Sequence, residues 1–138
     1  MAKRRVVITG CGCVSPFGRG GGKLFDALRS GANAVEACKE YRGLDGTTGA
    51  VCARVKDVDF GEISRKARRT MSPASLFAAL ASFDGLEEAR WRPSDFDNAR
   101  SGLFLGSTIA GGEPLETIFR DFLPEQSFEK LMSASFFK

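Results

Sequence analysis

Hydrophobic and polar positions alternate between short apolar runs and glycine-rich breaks along the whole chain. The first run, Val6-Val7-Ile8-Thr9, is β-branched and uninterrupted, and it stops at Gly10. Such a run bounded by a glycine predicts a strand covered on both faces, the opening strand of an α/β domain. The loop after it carries Gly12, Pro16 and Gly18. Leu24, Phe25, Leu28 and Ala32 then recur at helical spacing, with Ser30-Gly31 as a stop, and predict a short helix covering the first strand. From Ala34 to Asp59 the pattern loosens, with turns expected at Gly43, Asp45-Gly46 and Gly49 and a second, shorter strand over Ala50 to Val55.

The strongest helical pattern runs from Pro73 to Arg90. Ser72 is a suitable N-cap, and Pro73 fits the first turn. Leu76, Phe77, Leu80, Phe83 and Leu86 form a broad apolar face that reads as core, and Ala79, Ala81 and Ala89 permit close approach. Gly85 weakens the last turn. Trp91 to Ala99 is a polar segment broken by Pro93, where Asp95 and Asp97 read as solvated turn carboxylates. Leu103-Phe104-Leu105 predicts a third buried strand, ending in a Gly/Ser/Thr loop. Glu113 to Phe122 predicts a short helix with Leu115, Ile118, Phe119 and Phe122 on one side, and the segment from Phe128 to Lys138 is aromatic-rich.

Composition narrows the classes. With 138 residues, 43% hydrophobic and 27% charged, the chain has the length and make-up of at most one globular domain. A net charge of +3 indicates no particular partner. No apolar run approaches the roughly 20 residues that span a bilayer. The N-terminus lacks a secretory h-region, so a cytoplasmic location without membrane association is expected. Cys11, Cys13, Cys38 and Cys52 lack the paired C-x-x-C spacing of a zinc site and read as small, semi-buried thiols in a reducing compartment. There is no histidine, so a mechanism that requires an imidazole cannot be completed by these residues alone.

Two nucleotide-binding patterns fail at the first glycine loop. Gly10 and Gly12 begin the dinucleotide fingerprint, but Ser15 holds its third glycine position and Pro16 follows. Gly22-Lys23 suggests a phosphate loop, but Phe17 holds its leading position and Leu24 replaces the metal-binding hydroxyl. Ser64 to Met71 is strongly basic and reads as a solvated helix face or loop; the stacking aromatics of a nucleic-acid module are missing beside it.

The opening stretch resembles the N-terminus of the beta-ketoacyl-acyl-carrier-protein synthases, the condensing enzymes of fatty acid and polyketide synthesis. Arg4-Arg5, Val6 to Gly10, Gly12 and Ser15-Pro16-Phe17-Gly18 fall at the family's spacing. Further on, Val55-Lys56-Asp57-Val58 matches more weakly, and Gly102, Gly106, Ser107, Gly111 and Gly112 match the glycine loop after the third strand. The resemblance implies an α/β chain, the N-terminal part of a thiolase-like layered α-β-α-β-α fold that is incomplete here. Residues 1–138 would be a partial synthase N-terminal domain, matching about the first third of a synthase.

In that family a cysteine at a helix start is acylated from a carrier thioester. Two histidines then assist decarboxylation of malonyl-carrier, and the carbanion attacks the acyl-cysteine. No cofactor or metal is implied. The resemblance places Lys66 and Arg69 on a basic surface that docks acidic acyl carrier protein, and Ile109 at an apolar position that gates the acyl pocket. Ser107 is a poor nucleophile without a histidine to activate it. None of the four cysteines holds the family's nucleophile position, and the segments carrying the nucleophile and histidines are expected beyond Lys138.

The implied partners are acyl carrier protein and an acyl thioester, with the homodimer common in the family, and neither nucleic acid nor membrane. The 138-residue chain alone is expected neither to condense anything nor to fold independently. The rival expectation is a catalytically silent synthase-like protein that binds carrier protein or pairs with a full-length synthase.

Overall fold

The computed structural model describes residues 5–46, 49–96, 100–108, 112–129 and 131. Its residues fall into two compact units, one comprising 1–58 and 80–90, the other 59–79 and 91–138.

In the first unit the Ser-Pro-Phe-Gly turn closes a tight antiparallel hairpin. Strand β1 (Val14–Ser15) pairs with β2 (Gly18–Arg19), with Ser15 opposite Gly18. The buried Ser15 hydroxyl donates to the Gly18 carbonyl at 3.2 Å and accepts the Phe17 N–H at 3.3 Å. Gly18 sits at φ 111°, which a side chain would oppose. Helix α1 (Gly21–Ser30) follows, and Gly31 ends it in the left-handed conformation, with the Ala32 N–H bonding back to the Ala27 carbonyl. The expected helix and stop are therefore present. Its expected packing is not, because Phe25 and Leu28 are exposed and Ala27 is the residue of α1 that is buried.

The turn signals at Gly43, Gly46 and Gly49 are all realised at positive φ. The second expected strand shrinks to β4 (Val51–Cys52). It pairs antiparallel with β3 (Glu36–Ala37), a strand the hydrophobic pattern did not predict.

Two other expected strands are corrected. Val6 to Thr9 forms no ladder among the described residues, and Val6 and Ile8 are 95% and 91% exposed. In the second unit, Leu103 to Leu105 likewise forms no strand, and Phe104 is 94% exposed. The physical reason is the same for both. A strand is stable only when neighbouring strands accept its backbone hydrogen bonds and layers cover its faces, and neither segment has such neighbours among the described residues.

Helix α2 (Arg65–Arg68) is a single turn capped by Ser64, whose hydroxyl accepts the Ala67 N–H at 3.2 Å. Helix α3 (Pro73–Glu88) is the long element anticipated from Pro73 onward. Buried Ser72 caps it by accepting the Ser75 N–H at 3.2 Å. Its residues from Leu80 onward belong to the first unit and those before it to the second. Leu80 is fully buried, whereas Phe83 is exposed.

Near the start of the second unit Ile63 is buried, and Phe60 stacks on Phe77 with ring centroids 5.9 Å apart. The polar segment after Trp91 contains a 3-10 turn (Pro93–Phe96) in which the Asp95 carboxylate accepts the Arg92 N–H at 2.6 Å. Asp97 lies outside the described residues. Helix α4 (Gly112–Phe122) carries an Arg120–Glu116 ion pair on its surface, while Leu115 and Phe119 remain exposed. Phe122 meets Phe128 at 4.7 Å, and most of the aromatic-rich end that follows lies outside the described residues.

Candidate functional site

The glycine loop after the opening run is held against the C-terminal half of α3 by direct backbone contact. A Cβ on Gly12 would sit 1.9 Å from the Ala81 carbonyl oxygen and 2.8 Å from the Gly85 nitrogen. A Cβ on Gly10 would sit 2.0 Å from the Gly85 carbonyl oxygen and 2.8 Å from the Ala89 nitrogen. Ala81, Gly85 and Ala89 are spaced by four residues and share a helix face. Gly85 thus has a packing reason that the helical pattern alone does not reveal.

Two polar anchors fix this seam. The Cys11 N–H donates to the Glu88 carboxylate at 2.6 Å, and Arg19 Nε donates to Asp84 Oδ1 at 2.8 Å. Arg19 and Asp84 are both mostly buried, and Asp84 Oδ2 is buried without a hydrogen-bond partner. The pair therefore ties β2 to α3 in a setting where losing one partner is costly.

The basic segment presents a divided surface. Lys66 and Arg69 are both exposed, as are Arg65 and Thr70, whereas Arg68 is half-buried with its Nε shielded from solvent. Ile109, the pocket position expected from the resemblance, lies outside the described residues. Ser107 is exposed, and the absence of histidine leaves it without an imidazole base.

A polar cluster on and just beyond β3 and β4 was not anticipated. Cys38 is 1% exposed, and its thiol donates to Glu40 Oε2 at 3.3 Å. The Arg54 guanidinium donates to Cys38 Sγ at 3.3 Å and to Glu40 Oε2 at 2.6 Å. Lys56 pairs with Glu36 at 2.8 Å. Burial above all, then the hydrogen bond to Glu40 and the neighbouring Cys52 thiol, pushes the Cys38 thiol up, with Arg54 opposing. Glu40 is held below the usual carboxylate range, first by its own backbone N–H, then by the Cys38 thiol and by Arg54. Hydrogen bonding and charge from Cys52, then the Glu40 charge, raise Arg54.

The signal for this cluster was present as alternation. Glu36, Cys38 and Glu40 on one segment, and Cys52, Arg54 and Lys56 on the other, each recur at every second residue. Among the described residues, no group of three or more Cys, Asp or Glu side chains is placed to hold a metal ion.

The glycine loop on α3, the serine-proline hairpin and the basic segment belong to a chain whose fold is the N-terminal part of a thiolase-like α/β fold. The chain belongs to the beta-ketoacyl synthase family: residues 3–132 match the beta-ketoacyl synthase N-terminal domain.

Over 117 residues the chain is 34% identical to 3-oxoacyl-[acyl-carrier-protein] synthase 1 of Escherichia coli K12, an alignment covering 84% of this chain and 28% of the relative. It is 33% identical over 122 residues to 3-oxoacyl-[acyl-carrier-protein] synthase 2 of Rhizobium meliloti, covering 80% and 28% of the two chains. Nodulation protein E of a Rhizobium species is 32% identical over 122 residues, with 87% and 30% covered. The fold matches a crystal structure of a beta-ketoacyl synthase from Burkholderia phymatum with a TM-score of 0.66 and 26% identity, covering 97% of this chain and 33% of that one. The chain therefore spans about a third or less of the length of these relatives.

Proposed function

We propose that this chain is the carrier-docking, N-terminal part of a 3-oxoacyl-acyl-carrier-protein synthase. The activity of the whole protein would be decarboxylative condensation of malonyl-carrier with a cysteine-bound acyl chain. The family match across residues 3–132 carries this reading. In it, all 138 residues belong to one synthase N-terminal domain, and the glycine loop on α3 positions the β1–β2 hairpin. Lys66 and Arg69 attract the acidic carrier, and the family resemblance gives Ile109 the role of gating the acyl pocket.

The residues present bind and orient; they do not carry the proton transfers. The condensation calls for two histidines, and the chain has none. The isolated chain is expected to transfer no acyl group from carrier or coenzyme A thioesters. Intact-mass detection of an acyl adduct on any of its cysteines under native conditions would contradict that expectation.

Titration with an acidic acyl carrier protein tests the docking surface. Binding at low salt should weaken as salt rises, and reversing Lys66→Glu together with Arg69→Glu should weaken it about ten-fold, mainly through the association rate. Binding absent at low salt, or unchanged by the double reversal, would count against these two residues as the docking surface.

A further inference from the structure

We infer that Cys38 and Cys52 form a redox-sensitive thiol pair that closes to a disulfide when a peroxide reaches Cys52. The register carries the argument. In β3–β4, Glu36 lies opposite Cys52 and Ala37 opposite Val51, and the Cys38 N–H continues the pairing to the Ala50 carbonyl at 2.9 Å. Side chains alternate along each strand, so Cys38 and Cys52 lie on the same face of the ladder as diagonal neighbours. Diagonal Cα atoms stand about 7–8 Å apart, so closing the bond draws the backbones together by roughly an ångström. The ladder ends here and a 3-10 turn (Lys39–Tyr41) begins directly after Cys38, which leaves that end of the ladder able to shift.

The surroundings divide the roles. Cys52 is half-buried and open to a small oxidant, whereas Cys38 is shielded. Arg54 donates to Cys38 Sγ and neighbours Cys52, so one guanidinium serves both sulfurs. Glu40 already accepts the Cys38 proton in a hydrogen bond.

In the first step the Cys52 sulfur attacks one peroxide oxygen, the O–O bond breaks, and the products are Cys52 sulfenic acid and water or an alcohol. In the second, Cys38 sulfur attacks the sulfenic sulfur while its own proton is lost toward the departing oxygen. The S–O bond breaks, and the departing hydroxide takes up that proton as water. Two thiols lose two electrons in total, which the peroxide accepts, and a dithiol reverses the reaction.

The test is peroxide treatment of the 138-residue chain, alkylation of the remaining thiols, and peptide mapping by mass spectrometry, with the native and urea-unfolded chains run in parallel. Native chain should give the Cys38–Cys52 cross-link, cleared by dithiothreitol, in about ten-fold excess over any other pairing, an excess that the unfolded chain should not reproduce. With Cys52→Ser, Cys38 should stay unmodified. Equal pairing preferences in the native and unfolded chains would overturn the inference, as would separate alkylation of Cys38 and Cys52 after native oxidation. A third measurement uses Arg54→Ala, which should slow cross-linking; an unchanged rate in that variant would remove Arg54 from the device.

Discussion

The two halves of the opening stretch behave in opposite ways. Gly10 and Gly12 approach the α3 backbone so closely that no side chain fits, while Val6 and Ile8, two to six residues earlier, stand almost fully in solvent. Both halves read as structural signals in the sequence. The difference lies in their partners. The glycines need a helix face of small residues, and Ala81, Gly85 and Ala89 supply it within this chain. The valines need flanking strands and covering layers, which the described residues do not provide. An element's own residues set its preference, but its partner decides whether the preference is realised.

The largest expected effect breaks the packed half. Gly12→Ala puts a Cβ on the Ala81 carbonyl oxygen, and neither backbone can yield without moving α3. A loss of about 3 kcal/mol or more is expected in urea unfolding, and a cooperative, reversible transition there would itself overturn the expectation that the chain does not fold alone. Gly22→Ala is the matched control, because its Cβ meets nothing within 4 Å. It lies inside α1 and should stabilise by up to about 1 kcal/mol. Equal losses at the two glycines would show that the seam does not exist.

Next comes the Arg19–Asp84 anchor. Arg19→Ala leaves a mostly buried carboxylate without its cation and should cost about 2 kcal/mol. Asp84→Asn keeps an acceptor for Arg19 and should cost less. The ordering of the two variants in the same unfolding experiment checks whether the ion pair or mere packing ties β2 to the helix.

The exposed half should hardly respond. Ile8→Ala is expected to change stability by no more than about 0.5 kcal/mol, against roughly 2–5 kcal/mol for an isoleucine in a packed strand. A loss in the upper range would mean that the Val6–Thr9 run finds a partner in solution, and it would restore the buried strand that the pattern predicts.

What could be read from the sequence divides along the same line. Turn chemistry was legible because it is local. Ser15 to Gly18 closes a hairpin, Gly31 ends α1, and Gly43, Gly46 and Gly49 all take positive φ. The Pro73 helix was legible because its cap and apolar face lie within one segment. Gly85 read only as a weakness until Gly12 was placed against it. Strand β3 went unpredicted because two residues carry too little pattern, and its existence depends on β4. Of the candidate site, Lys66 and Arg69 are exposed, which a solvated face and a docking surface share, while the Cys38–Glu40–Arg54 cluster stayed hidden in an every-second-residue repeat too short to stand out.

That cluster gives the comparison its finest test, because its groups titrate, whereas the Gly12–Ala81 overlap is between backbone atoms. Glu40 titrates below its ordinary value in the folded chain, so its stabilising contribution is present above the ordinary carboxylate range and is lost as pH falls through the folded value. Cys38 has the opposite sign. Its raised folded value gives a contribution present below the ordinary thiol range and lost as pH rises through the folded value. Urea midpoints across pH should therefore form a plateau that falls at both ends. Glu40→Gln should flatten the acid limb, and Cys38→Ser the alkaline one. The Gly12→Ala loss should stay constant across the plateau, since backbone overlap does not titrate. A Gly12→Ala penalty that varied with pH in step with the Glu40 limb would mean that the seam and the β3–β4 cluster unfold as one cooperative piece.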